Sequence, residues 1–168
     1  MYLAFSFRQL FAFGALLCLS ILGSAYLLEY AKELNPCPLC LLQRYMLWLL
    51  MFVFVCGAIW PYRRKLRLLF SSLILIGSVL GILLAGRQVW LQSLPPDQIP
   101  PCTAGLERLL TFHSIPKALQ IVISSSGECG VVDYQIFGFS LAIWSLSVFT
   151  LLIFYGGILF YLEKKRRK

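Results

Sequence analysis

Two cysteines separated by two residues open the chemistry of this chain: Asn35-Pro36-Cys37-Pro38-Leu39-Cys40, followed at once by Leu41-Leu42-Gln43-Arg44. Sulfurs at this spacing form a small, strained and easily reduced disulfide, and such pairs carry thiol exchange more often than they staple a fold. Pro38 suits the first position of a helix, where its missing N–H has no partner to lose. The apolar run from Leu41 to Trp60 continues as that helix, so the pair sits at or just before a helix N-terminus, which favours anions and thiolates. Arg44 follows Cys40 by four residues on the same helical face, where its permanent charge can stand beside the Cys40 sulfur. The residues alone leave open whether the dipole at Cys37 or the charge near Cys40 selects the thiolate.

Two further cysteines, Cys102 and Cys129, lie in one long polar segment. Four thiolates can hold zinc, but structural zinc sites usually bring two close pairs, and here twenty-six residues separate the second pair. No metal is therefore expected. Two inert structural disulfides are the other plain reading. Against it stands Arg44, because a charge set into an apolar span beside a sulfur is costly and usually functional. Cys18 and Cys56 fall inside apolar stretches and read as small buried apolar residues. His113, the single histidine, reads as a loop residue, since no partner is placed for it by sequence.

The elements that must position these sulfurs are membrane spans. A mean hydropathy of +0.81 with 13% charged residues excludes an ordinary soluble protein. Four apolar stretches can cross the ~30 Å hydrocarbon core of a bilayer: about 10–28, 40–60, 68–85 and 136–162. In 168 residues they leave room for a single membrane domain and no separate soluble one. The first stretch is too long for a typical secretory h-region and reads as a retained span; the last exceeds the core thickness, so tilt or an interfacial end is expected. Ten of the fifteen basic residues (Arg8; Arg63, Arg64, Lys65, Arg67; Lys164 to Lys168) flank span ends on one side, which the positive-inside rule makes cytoplasmic. Both termini are then inside, and the net charge of +8 reflects topology and not a nucleic-acid surface. Cys37, Cys40, Cys102 and Cys129 fall together on the other, oxidising side, where disulfides persist.

Two loops follow on that side, a short one at about 29–39 and a long one at about 86–135. The third span carries Gly77, Gly81 and Ala85 at four-residue spacing, a face for close packing within the bundle, and ends near Trp90, an interfacial anchor. The long loop starts with Pro95-Pro96-Asp97-Gln98-Ile99-Pro100-Pro101, which cannot be helical, and runs into Cys102. Ser114 as N-cap and Pro116 at the first position open a short helix whose Ile115, Leu119 and Val122 share a face, suited to lying flat on the bilayer surface. The fold expected is an all-α integral membrane protein, a four-transmembrane-helix bundle with one short and one long outer loop, the latter carrying a short amphipathic surface helix.

Cys37-Pro38-Leu39-Cys40-Leu41-Leu42-Gln43-Arg44 resembles the C-x-x-C-x-x-x-R signature of DsbB, the disulfide bond formation protein B family of the bacterial inner membrane. Four spans, a short first loop, and a long second one with Cys102 and Ser126-Gly127-Glu128-Cys129 extend the likeness over nearly the whole chain. The resemblance implies an oxidoreductase that re-oxidises a periplasmic thioredoxin-like dithiol protein, DsbA, and passes the electrons to a membrane quinone, ubiquinone or menaquinone. It implies that Cys102 forms the mixed disulfide with the partner, that Cys129 completes the second pair and exchanges with Cys37, and that Cys40 faces the quinone with Arg44 assisting. Some relatives carry a histidine near the quinone just after the third span; the nearest counterpart here is read as Gln92, which can hydrogen-bond a quinone oxygen but not titrate. The alternatives are a non-enzymatic membrane scaffold with two structural disulfides and a relative of vitamin K epoxide reductase. The latter family shares a four-helix bundle and a CxxC but usually places that motif on its final core helix, whereas here it opens the second span.

Overall fold

A computed structural model describes residues 6–33, 36–60, 63–99, 117, 121, 127–130 and 134–165. Cys102, His113 and the surface helix expected from Ser114 onward lie outside the described residues, Lys117 and Ile121 excepted. Four helices dominate: α1 (Phe7–Lys32), α2 (Pro38–Ile59), α3 (Arg64–Gln92) and α4 (Leu141–Lys165). All four are long and apolar enough to cross a membrane, and the chain is a multi-pass membrane protein. Successive helices pack as neighbours, α1 on α2, α2 on α3 and α3 on α4. The bundle is tied across its first and last helices by the Tyr155 hydroxyl, which donates to the Leu10 carbonyl at 2.7 Å.

Close approach of the helices rests on rings set into glycine positions. The Phe54 ring of α2 occupies the space a Cβ at Gly14 of α1 would need, and in return Phe11 of α1 fills the space beside Gly57 of α2. Gly81 of α3 receives Phe149 of α4 in the same way. Between helices in lipid there is no hydrophobic drive to association, so tight van der Waals contact of this kind carries the packing. Phe11, Phe54 and Phe149 are each fully buried. Gly77, Gly81 and Ala85 all face inward, as their spacing predicts.

Helix ends depart from the expected spans in two places that matter for the site. α3 does not stop near Ala85 but continues to Gln92. Hydropathy falls at Arg87 and Gln88, yet nothing there interrupts the backbone ladder before Pro95. α4 begins at Leu141 and not near Ile136, because residues 135–140 form a two-stranded hairpin, β1 (Gln135–Ile136) and β2 (Phe139–Ser140), with Ile136 opposite Phe139. Phe137 and Gly138 take φ of 54° and 82°, the positive values that a two-residue turn of this hand demands at both central positions. Trp144 of α4 donates to the Ile136 carbonyl at 3.3 Å and holds the hairpin against the helix.

Gly81→Ala should lower the stability of the detergent-solubilised protein by about 1–3 kcal/mol through overpacking against Phe149. Gly86→Ala, where a Cβ meets nothing within 4 Å, should leave the thermal midpoint unchanged or raise it. Equal midpoints for the two variants would contradict the ring-in-glycine account.

Candidate active site

The Cys pair sits where the sequence places it, and Cys37 itself caps the helix. Its sulfur accepts the backbone N–H of Cys40 at 3.4 Å, the place a serine or aspartate oxygen takes at other helix starts, and Pro38 stands in the first turn. The Cys37 and Cys40 sulfurs are 2.8 Å apart. Both are free thiols.

A third sulfur joins them. The short 3₁₀ turn Gly127–Gly130 packs against α3 and α2 and buries Cys129 to 1% exposure. Cys129 shares a small apolar cluster with Leu39 and Leu91, and Cys37 packs against that cluster. The Cys129 thiol lies on the Cys37 side of that cluster. Cys37 thus touches one sulfur of its own motif and faces one brought in from the second loop. The thiol of Cys37 is pushed up to about 12, first by the Cys129 thiol beside it and further by burial, against the contact with Cys40, which favours ionisation. The cap bond from Cys40 N–H also favours the thiolate but is the smallest of these influences.

Sequence reasoning missed Gln88. This side chain, 4% exposed, donates its Nε2 to Cys40 Sγ at 3.1 Å and approaches Cys37 Sγ at 3.5 Å. Its own carbonyl accepts from Gln43 Nε2 at 2.8 Å. The signal was present in the spacing: Gln88 precedes Gln92 by one helical turn, so both amides lie on one face of α3 once the helix is continued past Ala85.

Arg44 has a different partner from the one its spacing suggests. Its guanidinium pairs with the Glu29 carboxylate of α1 and lies 4.8 Å above the Tyr26 ring. A long side chain at the first turns of α2 reaches an opposite charge on the neighbouring helix more favourably than a neutral thiol. The Cys40 sulfur is met by Gln88 instead. Arg44 nevertheless lines the same cavity as Cys40.

That cavity measures about 430 Å³. Cys37, Cys40, Gln43, Arg44, Gln88 and Gln92 gather on its wall, and α1 and α4 complete it with Ile21, Ala25, Leu28, Trp144, Val148 and Phe149. Such a mostly apolar chamber with a few convergent polar groups is the form of a small-molecule site. Of the residues picked out in the sequence, Cys37, Cys40, Arg44 and Gln92 are brought together around it, and Cys129 stands behind Cys37.

Three thiols, Cys129 buried and Cys37 and Cys40 half-buried, at the end of a four-helix membrane bundle and beside an apolar chamber, define a membrane thiol–disulfide oxidoreductase. Comparison with known proteins makes the class specific. The family described as "Disulfide bond formation protein DsbB" matches residues 7–159. The disulfide bond formation protein B of Chromohalobacter salexigens is 39% identical over 149 residues, covering 88% of this chain and 87% of that protein. Its namesake from Acinetobacter baumannii is 39% identical over 143 residues, 83% and 84% of the two chains, and disulfide bond formation protein B 1 of Pseudomonas aeruginosa is 34% identical over 142 residues, 84% and 87%. The chain belongs to the DsbB family and is a disulfide-forming oxidoreductase of the membrane. Membership selects this reading over the inert scaffold and the vitamin K epoxide reductase-like enzyme.

In the fully reduced protein, alkylation of Cys37 should keep rising with pH beyond 10, where an ordinary thiol near ~8.5 has levelled off. Cys129→Ala removes the largest influence holding Cys37 protonated and should move that rise down by about one unit or more. Peptide mapping of the label across a pH series reads both. An unchanged profile in Cys129→Ala would contradict the Cys37–Cys129 contact.

Proposed function

We propose that this protein re-oxidises a periplasmic DsbA-like dithiol protein and delivers the electrons to membrane quinone from the bacterial inner membrane, with both termini cytoplasmic. The observation that carries the reading is the chamber itself: a mostly apolar volume lined by residues of all four helices, whose polar wall holds the Cys37–Cys40 pair. Its residues fit a quinone. Apolar side chains of α1 and α4 suit a prenyl tail, and Arg44 and Gln92 are hydrogen-bond donors for ring oxygens. A quinone bound there supplies an acceptor for two electrons and two protons.

The chain's own residues divide the work. The partner's dithiol attacks the Cys102–Cys129 disulfide; Cys102 takes the mixed disulfide and Cys129 leaves as a thiol. The partner's second thiol resolves that bond, and the partner departs oxidised while Cys102 and Cys129 hold its two electrons and two protons. Cys129, already beside Cys37, exchanges with the Cys37–Cys40 disulfide, and Cys40 leaves toward the chamber. Cys102 displaces Cys37 from Cys129, which restores the second pair and leaves Cys37 and Cys40 as the dithiol. That dithiol closes again to a disulfide as two electrons and two protons pass out through the Cys40 side. Arg44, oriented by Glu29 and Tyr26, holds positive charge at the chamber wall where negative charge develops.

Purified protein given reduced partner and quinone should oxidise the one and reduce the other in equal amounts. Arg44→Lys keeps the charge but loses the planar fork and should raise KM for quinone; Arg44→Met should weaken it further, by about tenfold or more, the worth of a charge-assisted hydrogen bond. Partner oxidation without quinone reduction, or unchanged quinone kinetics in Arg44→Met, would overturn the proposal.

A further inference from the structure

The mechanism uses sulfurs and a guanidinium, yet two amides are buried against them. Gln43 and Gln88 are each 4% exposed on helices that face lipid. Burying an amide head costs several kcal/mol in an apolar medium unless its hydrogen bonds are made, so such a pair is expected to be specific about orientation. The bonds here are directional. Gln43 Nε2 donates to Gln88 Oε1 at 2.8 Å. With its carbonyl taken, Gln88 presents its Nε2 to the sulfurs, at 3.1 Å from Cys40 and 3.5 Å from Cys37. An N–H edge favours a thiolate; the carbonyl edge of the same amide, turned round, would favour a protonated thiol.

We propose that Gln43 is a positioning residue that fixes the orientation of the Gln88 amide, and that this orientation raises how readily Cys40 gives a thiolate toward the chamber. Gln43 follows Cys40 by three residues on α2, so the relay leaves the Cys40 face of one helix, crosses to α3 and returns to the Cys40 sulfur. Neither amide titrates, so the relay keeps the same polarity at every pH in the working range. The inference rests on the thiol–quinone reading for its purpose but not for its test, because thiol reactivity is read without quinone.

The test is the alkylation rate of Cys40 in the fully reduced protein, followed by peptide mapping from pH 6 to 10. The titratable and charged groups around Cys40 (Cys37, Cys129, Tyr134 and the Arg44–Glu29 pair) stay in place in every variant. Gln88→Leu should slow alkylation at pH 7 about tenfold, the effect of one hydrogen bond to a charged acceptor, and move the profile to higher pH. Gln43→Leu should do the same to a smaller extent, and should add nothing in a Gln88→Leu background. Gln43→Glu should slow Cys40 more than Gln43→Leu, because a carboxylate accepts from Gln88 Nε2 and turns the carbonyl to the sulfurs. Thermal midpoints report folding, and Gln43→Met replaces Gln43→Leu if the latter does not fold. A Cys40 profile unmoved by Gln43→Leu, or a Gln43 effect that persists in full without Gln88, would overturn the proposal. If Cys40 reactivity behaves as expected while quinone is not reduced, the relay stands and the acceptor is another.

Discussion

A charged or amide side chain set inside a membrane bundle must find its partner within the protein, because lipid offers none. Three such pairs order this structure. Arg44 of α2 meets Glu29 of α1, Gln43 of α2 meets Gln88 of α3, and Arg67 of α3 makes two hydrogen bonds of 2.9 Å to Glu163 of α4, which is 1% exposed. Each joins a different pair of neighbouring helices. The first two lie at the cysteine end and the third at the basic end, so the bundle is pinned top and bottom while the Phe–Gly contacts fill its middle. Because α2 is held on both sides within two residues of each other, its N-terminal turn is fixed, and with it the Cys pair.

That fixed turn makes Cys37 a junction. Its sulfur caps α2, lies 2.8 Å from Cys40 and packs against the cluster that holds Cys129. Disulfide exchange needs three sulfurs within reach of one another, with the central one attacked. Cys37 and Cys40 are in contact, and Cys129 brings a third sulfur into the cluster against which Cys37 packs. In the reduced protein Cys129 and burial hold the Cys37 thiol protonated.

Much of this was legible in the residues. Pro38 and the apolar run behind it announce a helix that opens at the Cys pair, and the four stretches and their basic flanks announce the spans. The partner of Arg44 was not legible, because i to i+4 spacing speaks for one helix and Glu29 stands on another. Gln88 was hidden by hydropathy, which ends the third span where the backbone does not. The hairpin before α4 was hidden inside an apolar run, since a phenylalanine at positive φ is rare and nothing but Gly138 marked the turn.

The central claim is that Cys37 and Cys129 are poised to exchange. In the double variant Cys40→Ser, Cys102→Ser, mild oxidation of the purified protein followed by non-reducing peptide mapping should yield one intramolecular Cys37–Cys129 disulfide in nearly all molecules. Two free thiols persisting after oxidation, or disulfides formed only between molecules, would contradict the account.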